Sequence, residues 1–291
     1  MPPGDAVGRH RAQHHTQQRA TGAVPLLSAR EMGNKDEATV LARLRASPLA
    51  AKFQEVYGAD IFARPTAALQ GALMALEVFQ ESPADFSPYT SKYDAFLRKQ
   101  VTLSAPELRG LRVFNDETKG NCASCHISRI SPGGVFPQFT DYGLINIGVP
   151  RNRKLLVNAD PRYYDLGLCG PDRTDLKDHK EYCGRFKRPS LRNVALRKAY
   201  FHNGSFTRLG DVVRFYATRD TTPMKWYRDR KFDDQPVGLE ANVNMEAPFG
   251  GRPGGAPVLS ERDITDLVAF LNTLTDGYRQ AGAAGSARAK P

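Results

Sequence analysis

No stretch of about 18 consecutive apolar residues occurs in the 291-residue sequence, so a membrane-spanning helix is not expected. The opening Met1-Pro-Pro-Gly-Asp-Ala-Val-Gly-Arg-His10 lacks the apolar core of a secretory signal. Helix-turn-helix and zinc-finger spacings are missing as well, and the basic residues are spread along the chain. A net charge of +10 is therefore not read as nucleic-acid binding, although it is compatible with an acidic redox partner. With 41% apolar residues, enough material exists for one large domain or two small ones. Cysteine is scarce, four in all, which makes the placement of each informative.

Two of the four stand in Asn121-Cys122-Ala123-Ser124-Cys125-His126, a C-x-x-C-H sequence. Thiols three positions apart close thioether bonds to the two vinyl groups of one porphyrin, and the following imidazole reaches the iron, so Cys122, Cys125 and His126 read as an attachment site for haem c. A zinc site would need two further ligands at a workable spacing, and a thioredoxin-like pair would need a βαβ context; the sequence offers neither. Covalent haem attachment of this kind normally takes place outside the bacterial cytoplasm, which stands against the missing signal.

The segment 1–24 is polar and rich in Gln, His and Arg without periodicity, and is expected to be poorly ordered. From Pro25 the character changes. A helix is expected from near Lys35 with Asn34 as its cap, a second from Pro48 packing Leu49 and Phe53 and stopping at Gly58, and a third over Thr66 to Gln80 with Leu69, Leu73, Leu76 and Phe79 inward and Met74 in the core. Residues 82–89 read as a linker, and a domain boundary is placed near 95. Ser104 to Glu107 is a capping box starting a helix with Leu108, Leu111 and Phe114 on one face. The matching last helix is capped by Ser260 and carries Ile264, Leu267, Val268, Leu271 and Leu274. A helix, a break, the haem motif and a final crossing helix form the plan of a cytochrome c domain.

Between these helices lie about 130 residues rich in Gly, Pro and polar side chains, too many for a minimal cytochrome. Cys169 and Cys183 flank a loop there, and in an oxidising compartment they are expected to form a disulfide. Asp172, Asp175 and Asp178 inside it do not have EF-hand spacing and read as a solvated face. For the sixth position on the iron, His202, Tyr216, Met224 and Met245 are candidates. Tyr216 ends a short amphipathic stretch with Val212 and Val213, and spacing alone leaves open whether it is a ligand or a core tyrosine.

Phe186-Lys-Arg-Pro-Ser-Leu-Arg-Asn193-Val-Ala-Leu, Tyr200-Phe-His-Asn-Gly204-Ser-Phe and Val212-Val-Arg-Phe-Tyr216, together with Asn146-Ile-Gly-Val-Pro150 and the segment ending Leu271-Asn-Thr-Leu-Thr-Asp-Gly277, resemble the bacterial di-haem cytochrome c peroxidases, including the MauG-type branch. In that family two α-helical cytochrome c-like domains carry one haem each; peroxide reacts at the first and the second passes electrons. The resemblance runs from residue 25 to about 278. It implies that Pro25-Leu-Leu-Ser-Ala-Arg-Glu31-Met-Gly corresponds to the segment bearing the distal glutamate, Glu31, and that Tyr216 is the axial tyrosine of the MauG-type branch. Arg192 corresponds to the Leu-Arg-Asn segment near the haem, where a guanidinium pairs with a propionate. A second C-x-x-C-H is missing N-terminal to Cys122. Arg197-Lys198-Ala199 departs from the family's Thr-Ala-Pro, which leaves the inter-haem calcium of the family without its full site here.

The expected architecture is all-α: a polar tail over 1–24, a helical remnant of the first domain over 25–95, a cytochrome c-like haem domain with long loops over 96–278, and a disordered tail over 279–291. The expected function is that of a periplasmic haem c oxidoreductase of the cytochrome c peroxidase type, passing electrons from a small redox protein or other donor towards hydrogen peroxide, with weak or missing turnover by this chain alone. The alternative is a non-catalytic mono-haem electron carrier.

Overall fold

A computed structural model describes residues 23–29, 31–173 and 175–279. The tails expected over 1–24 and 279–291 thus lie almost wholly outside the described residues. The described chain divides into two compact units between Pro88 and Tyr89.

In the first unit, α1 (Glu37–Ala46) begins two residues later than the sequence pattern indicates. Its cap is Asp36, whose Oδ1 accepts from both the amide and the hydroxyl of Thr39. Asn34 has other partners: its Nδ2 donates to the Leu26 carbonyl at 2.6 Å and its Oδ1 accepts from Arg43 at 2.7 Å. The next helix, α2 (Ala50–Tyr57), stops at Gly58, whose φ of 103° excludes ordinary side chains. Phe53 is buried in it as expected, but Leu49 is exposed.

The third helix, α3 (Pro65–Gln80), has the expected limits and an unexpected inner face. Leu73 is buried, whereas Leu76, Phe79 and Met74 are exposed. The face is chosen by small residues: Ala68 is fully buried, and a Cβ on Gly71 would lie 3.3 Å from the rings of Phe53 and Tyr57. Those two rings, 4.7 Å apart, need that flat surface more than the helix needs its leucines inward, because aromatic burial removes the larger area from water. A short helix α4 (Pro83–Phe86) occupies the expected linker.

The second unit opens with α5 (Lys92–Leu97), so a boundary at 95 would cut through a helix. Tyr93 on α5 packs edge-on against Phe270 at 5.2 Å and Phe139 at 5.6 Å, which ties this helix to the haem-motif unit. The expected capping box of Ser104 with Glu107 is present on α6 (Ala105–Asn115), and Ser260, the expected cap of α8 (Glu261–Asn272), forms a second box with Asp263. Between them runs α7 (Leu209–Thr218).

Helices α6 and α8 touch backbone to backbone. A Cβ on Gly110 would stand 1.9 Å from the Asp266 carbonyl oxygen, so no side chain fits there. Arg109 beside it grips the Asp266 carboxylate through two bonds of 2.7 and 2.8 Å. Phe114, Phe139, Phe215, Phe270, Leu267 and Leu274 form the deepest part of the core around this contact. Among the described residues, strand structure is one antiparallel pair, β1 (Leu144–Ile145) with β2 (Phe186–Lys187), in which Leu144 faces Lys187 and Ile145 faces Phe186. The unit is helix-rich in the manner of a cytochrome c.

Candidate haem site

The haem motif is a tight turn laid against α6. Gly120 makes this possible, since a Cβ there would come within 2.4 Å of the Val113 carbonyl oxygen. Asn121 follows in the left-handed region at φ 47° and turns the chain into a 3-10 turn over Cys122–Ser124. The Cys122 carbonyl then accepts from the amides of Cys125 at 3.2 Å and His126 at 2.8 Å. This compact turn packs Cys122 and Ala123 against the same core as Tyr216.

The four cysteines separate as their spacing indicates. Cys169 and Cys183 form a disulfide, and Cys122 and Cys125 remain thiols. Burial, with the neighbouring Cys125, pushes the Cys122 thiol up to about 12, so it stays protonated and neutral. Among the described residues no three His, Cys, Asp or Glu side chains converge in a metal-binding group.

His126 shows which nitrogen is free. Its Nδ1 lies 2.7 Å from the Phe139 carbonyl oxygen, which only accepts, so Nδ1 carries the proton and Nε2 keeps its lone pair. Burial lowers the imidazole pKa, holding the ring in the neutral form a metal ligand needs. The carbonyl is aimed by an unusual backbone: Phe139 is buried at φ 54°, a conformation costing a bulky residue about 1–3 kcal/mol. Asp141 donates its amide to the Cys125 carbonyl at 2.9 Å, which ties this loop to the motif.

Of the four candidates for the opposite position, Tyr216 packs against the same core as Cys122. Burial, followed by the Cys122 and Cys125 sulfurs, raises its hydroxyl pKa well above the ordinary tyrosine value. Its ring stacks on Phe249 at 5.1 Å with 26° between the planes and also meets Phe201. The other candidates are engaged or turned outward. His202 lies flat on Phe186 at 3.6 Å with its Nε2 3.5 Å from Asp234, and Met224 is 76% exposed. Met245 is half exposed, and its sulfur accepts from Arg219 at 3.2 Å.

Arg192 is buried but not open. Its Nη1 and Nη2 hold the two oxygens of Asp94 at 3.0 and 2.9 Å, and its Nε donates to the Pro137 carbonyl at 2.9 Å. Three of its five N–H groups are thus committed within the protein. Arg192 is thus anchored to Asp94 and Pro137, and two of its N–H groups remain for the propionate contact that the resemblance implies. Glu31 belongs to the first unit, exposed, in a turn where its amide donates to the Ser28 carbonyl.

One feature of the site escaped the sequence pattern altogether. Arg219 is fully buried directly after α7. It bonds the Asp220 carboxylate at 2.7 Å and the carbonyls of Ile147 at 3.1 Å and Asn244 at 2.9 Å. Arg219-Asp220 reads in sequence as an ordinary polar helix end, and nothing in its spacing announces burial. Taken together, two unpaired thiols, an imidazole with a free Nε2 and a half-buried phenol packed against the same core as Cys122 fit a covalently attached haem.

Comparison with known proteins agrees. Residues 8–102 match the family described as di-haem cytochrome c peroxidase, so family likeness extends upstream of Pro25. The methylamine utilization protein MauG of Paracoccus denitrificans is 34% identical over 272 residues, spanning 87% of this chain and 63% of MauG. The cytochrome c peroxidase Ccp of Escherichia coli is 25% identical over 256 residues, covering 87% of this chain and 42% of its own length. Among solved structures, the di-haem peroxidase BthA of Burkholderia thailandensis superposes with a TM-score of 0.81 at 36% identity, covering 89% of this chain and 64% of BthA. The chain thus spans less than two thirds of the length of each of these three relatives.

Proposed function

Because this chain belongs to the MauG-like di-haem cytochrome c peroxidase family, we propose that its second unit is the electron-relaying half of such a peroxidase, carrying one haem c. The observation that carries the reading is the His126 Nδ1 bond to Phe139, which leaves Nε2 free beside two unpaired thiols. A haem held there supplies one-electron chemistry at its iron.

The chain's own residues do the rest. Cys122 and Cys125 fix the ring covalently. His126, kept neutral and oriented by Phe139, would offer Nε2 to the iron. Tyr216 would offer its phenolic oxygen to the same iron, and a tyrosinate ligand would favour the oxidised state. Phe201 and Phe249 shield the phenol from water. Glu31, on the first unit, is the counterpart of the family's distal acid and holds a carboxylate able to move a proton. The first unit is then what this chain has of the peroxide-reacting domain. No calcium is included, since Arg197 and Lys198 place positive charge on the segment that would bind it.

The substrate is proposed to be hydrogen peroxide and the donor a small redox protein. The compartment is proposed to be the periplasm, supported by the Cys169–Cys183 disulfide; no helix among the described residues is long and apolar enough to cross a membrane. Intact-mass analysis after periplasmic expression with the cytochrome c maturation machinery tests the reading: one haem per chain is expected, and none would overturn it. Peroxide-dependent oxidation of a reduced cytochrome by the isolated chain is expected to be weak. A robust rate would show a complete peroxidase instead, and a low-spin His/Met spectrum without any peroxide response would favour the simple electron carrier.

A further inference from the structure

Two side chains with iron-binding chemistry meet at one arginine. Arg219 lies one helical turn beyond Tyr216, with its guanidinium carbon 3.7 Å from the centre of the Phe249 ring, and Phe249 is the ring on which Tyr216 stacks. The same guanidinium also reaches the Met245 sulfur, which lies 3.2 Å from Nη2 and shares a hydrogen with the Asp220 and Asn244 oxygens bonded to that nitrogen. A thioether is a weak acceptor, and this arginine has no shortage of better ones. Asp220, Ile147 and Asn244 already hold it, while Asp220 is itself held by Lys231 and by the Gly250 amide at 2.8 Å. The guanidinium is therefore fixed from several directions and has little freedom to turn. A fixed donor tethers a flexible methionine side chain that would otherwise sample many rotamers. The flat face of that donor, set against Phe249, keeps the aromatic ring in place beside Tyr216.

We propose that Arg219 is a positioning residue that decides which side chain ligates the haem iron: it braces Tyr216 through Phe249 and withholds Met245 by bonding its sulfur. Met245 is then a reserve ligand, silent while Arg219 holds it. The inference rests on the reading of Tyr216 as the axial ligand. It goes beyond that reading by naming the competitor and the residue that suppresses it. A merely structural role for Arg219 would alter thermal stability and leave the identity of the ligand unchanged.

The test is magnetic circular dichroism and electron paramagnetic resonance of the ferric haem-loaded chain, which distinguish phenolate from thioether ligation. The unaltered protein is expected to show phenolate, and Tyr216→Phe is expected to lose it without gaining thioether ligation, because Arg219 still holds Met245. Combining Tyr216→Phe with Arg219→Gln is expected to bring in a thioether signature, and adding Met245→Leu to remove it again. A folded, haem-loaded Tyr216→Phe/Arg219→Gln protein without thioether ligation overturns the proposal. Thioether ligation by Met245 in the single Tyr216→Phe variant overturns it too, and decides the matter even where Arg219→Gln prevents folding. A failure of the underlying reading looks different: the unaltered protein then shows no phenolate, and Tyr216→Phe leaves its spectrum as it was.

Discussion

His126 and Phe139, thirteen residues apart in the chain, are joined by a bond of 2.7 Å from the imidazole Nδ1 to the backbone carbonyl oxygen. That bond fixes the tautomer, and the tautomer fixes which nitrogen can meet a metal. The orientation is held by main chain rather than by a side chain, and that main chain is itself held by Asp141 on Cys125 and by Thr140 on the Arg188 carbonyl.

Replacing His126 with Ala should therefore separate attachment from ligation. Both thioether bonds are expected to form, since Cys122 and Cys125 are untouched, and the mass increment of one haem should remain. The low-spin absorption spectrum should be lost. Retention of that spectrum would show that another residue supplies the proximal ligand.

Gly110→Ala should be among the most damaging single-methyl additions in the second unit. The new Cβ would meet the Asp266 carbonyl oxygen at 1.9 Å, and both partners are helix backbone, so neither yields without moving a whole helix. Overpacking of a rigid contact typically costs about 1–3 kcal/mol, and this case should fall at or above the upper end. Denaturant unfolding compared with Ala105→Gly, at an exposed helix start, checks it.

Arg192→Ala leaves the fully buried Asp94 carboxylate without its partner and should destabilise the fold by about 3–5 kcal/mol. The pH dependence follows from the same pair. Burial alone would raise the Asp94 carboxyl, but hydrogen bonds from Arg192 and Ser91 and the charge of Arg192 outweigh it and hold the pKa below the ordinary carboxylate value. A depressed folded pKa stabilises fully above the unfolded value of about 3.9 and loses that stabilisation as pH falls through the folded value. The stability gap between the unaltered protein and Asp94→Asn should therefore be constant near neutrality and shrink only below about pH 4. A gap that does not change with pH across that range would contradict the assignment.

Replacing both Cys169 and Cys183 with Ser should cost about 3 kcal/mol, the stabilisation ordinarily given by closing a loop of this length. The haem spectrum should be unchanged, because neither residue is part of the haem motif. Thiol titration of the unaltered apoprotein should find two reactive groups under denaturing, non-reducing conditions, those of Cys122 and Cys125.

Much of the site could be read directly because its chemistry is local. Two thiols and an imidazole within five residues specify haem attachment whatever surrounds them, and the capping box from Ser104 to Glu107 is written in four consecutive residues. The pairing of the remaining two cysteines followed by elimination and compartment. Local signals failed where a choice between faces was involved. In α3 the leucine and phenylalanine spacing pointed to an inner face bearing Leu76 and Phe79, and both lie outside because Ala68 and Gly71 admit two rings that leucines would exclude.

What the sequence determined by itself was therefore the presence of a haem motif, the helices that frame it and the resemblance to a family, since each depends on residues close together in the chain. The tertiary structure alone decided what long-range neighbours decide. It committed Arg192 to Asp94, 98 residues away, packed Tyr216 against the same core as Cys122, and buried Arg219 between Phe249 and Met245. The physical reason is the same in each case. A charged or polar side chain acquires its role from the partners that replace water around it, and those partners are assembled only when distant segments fold together.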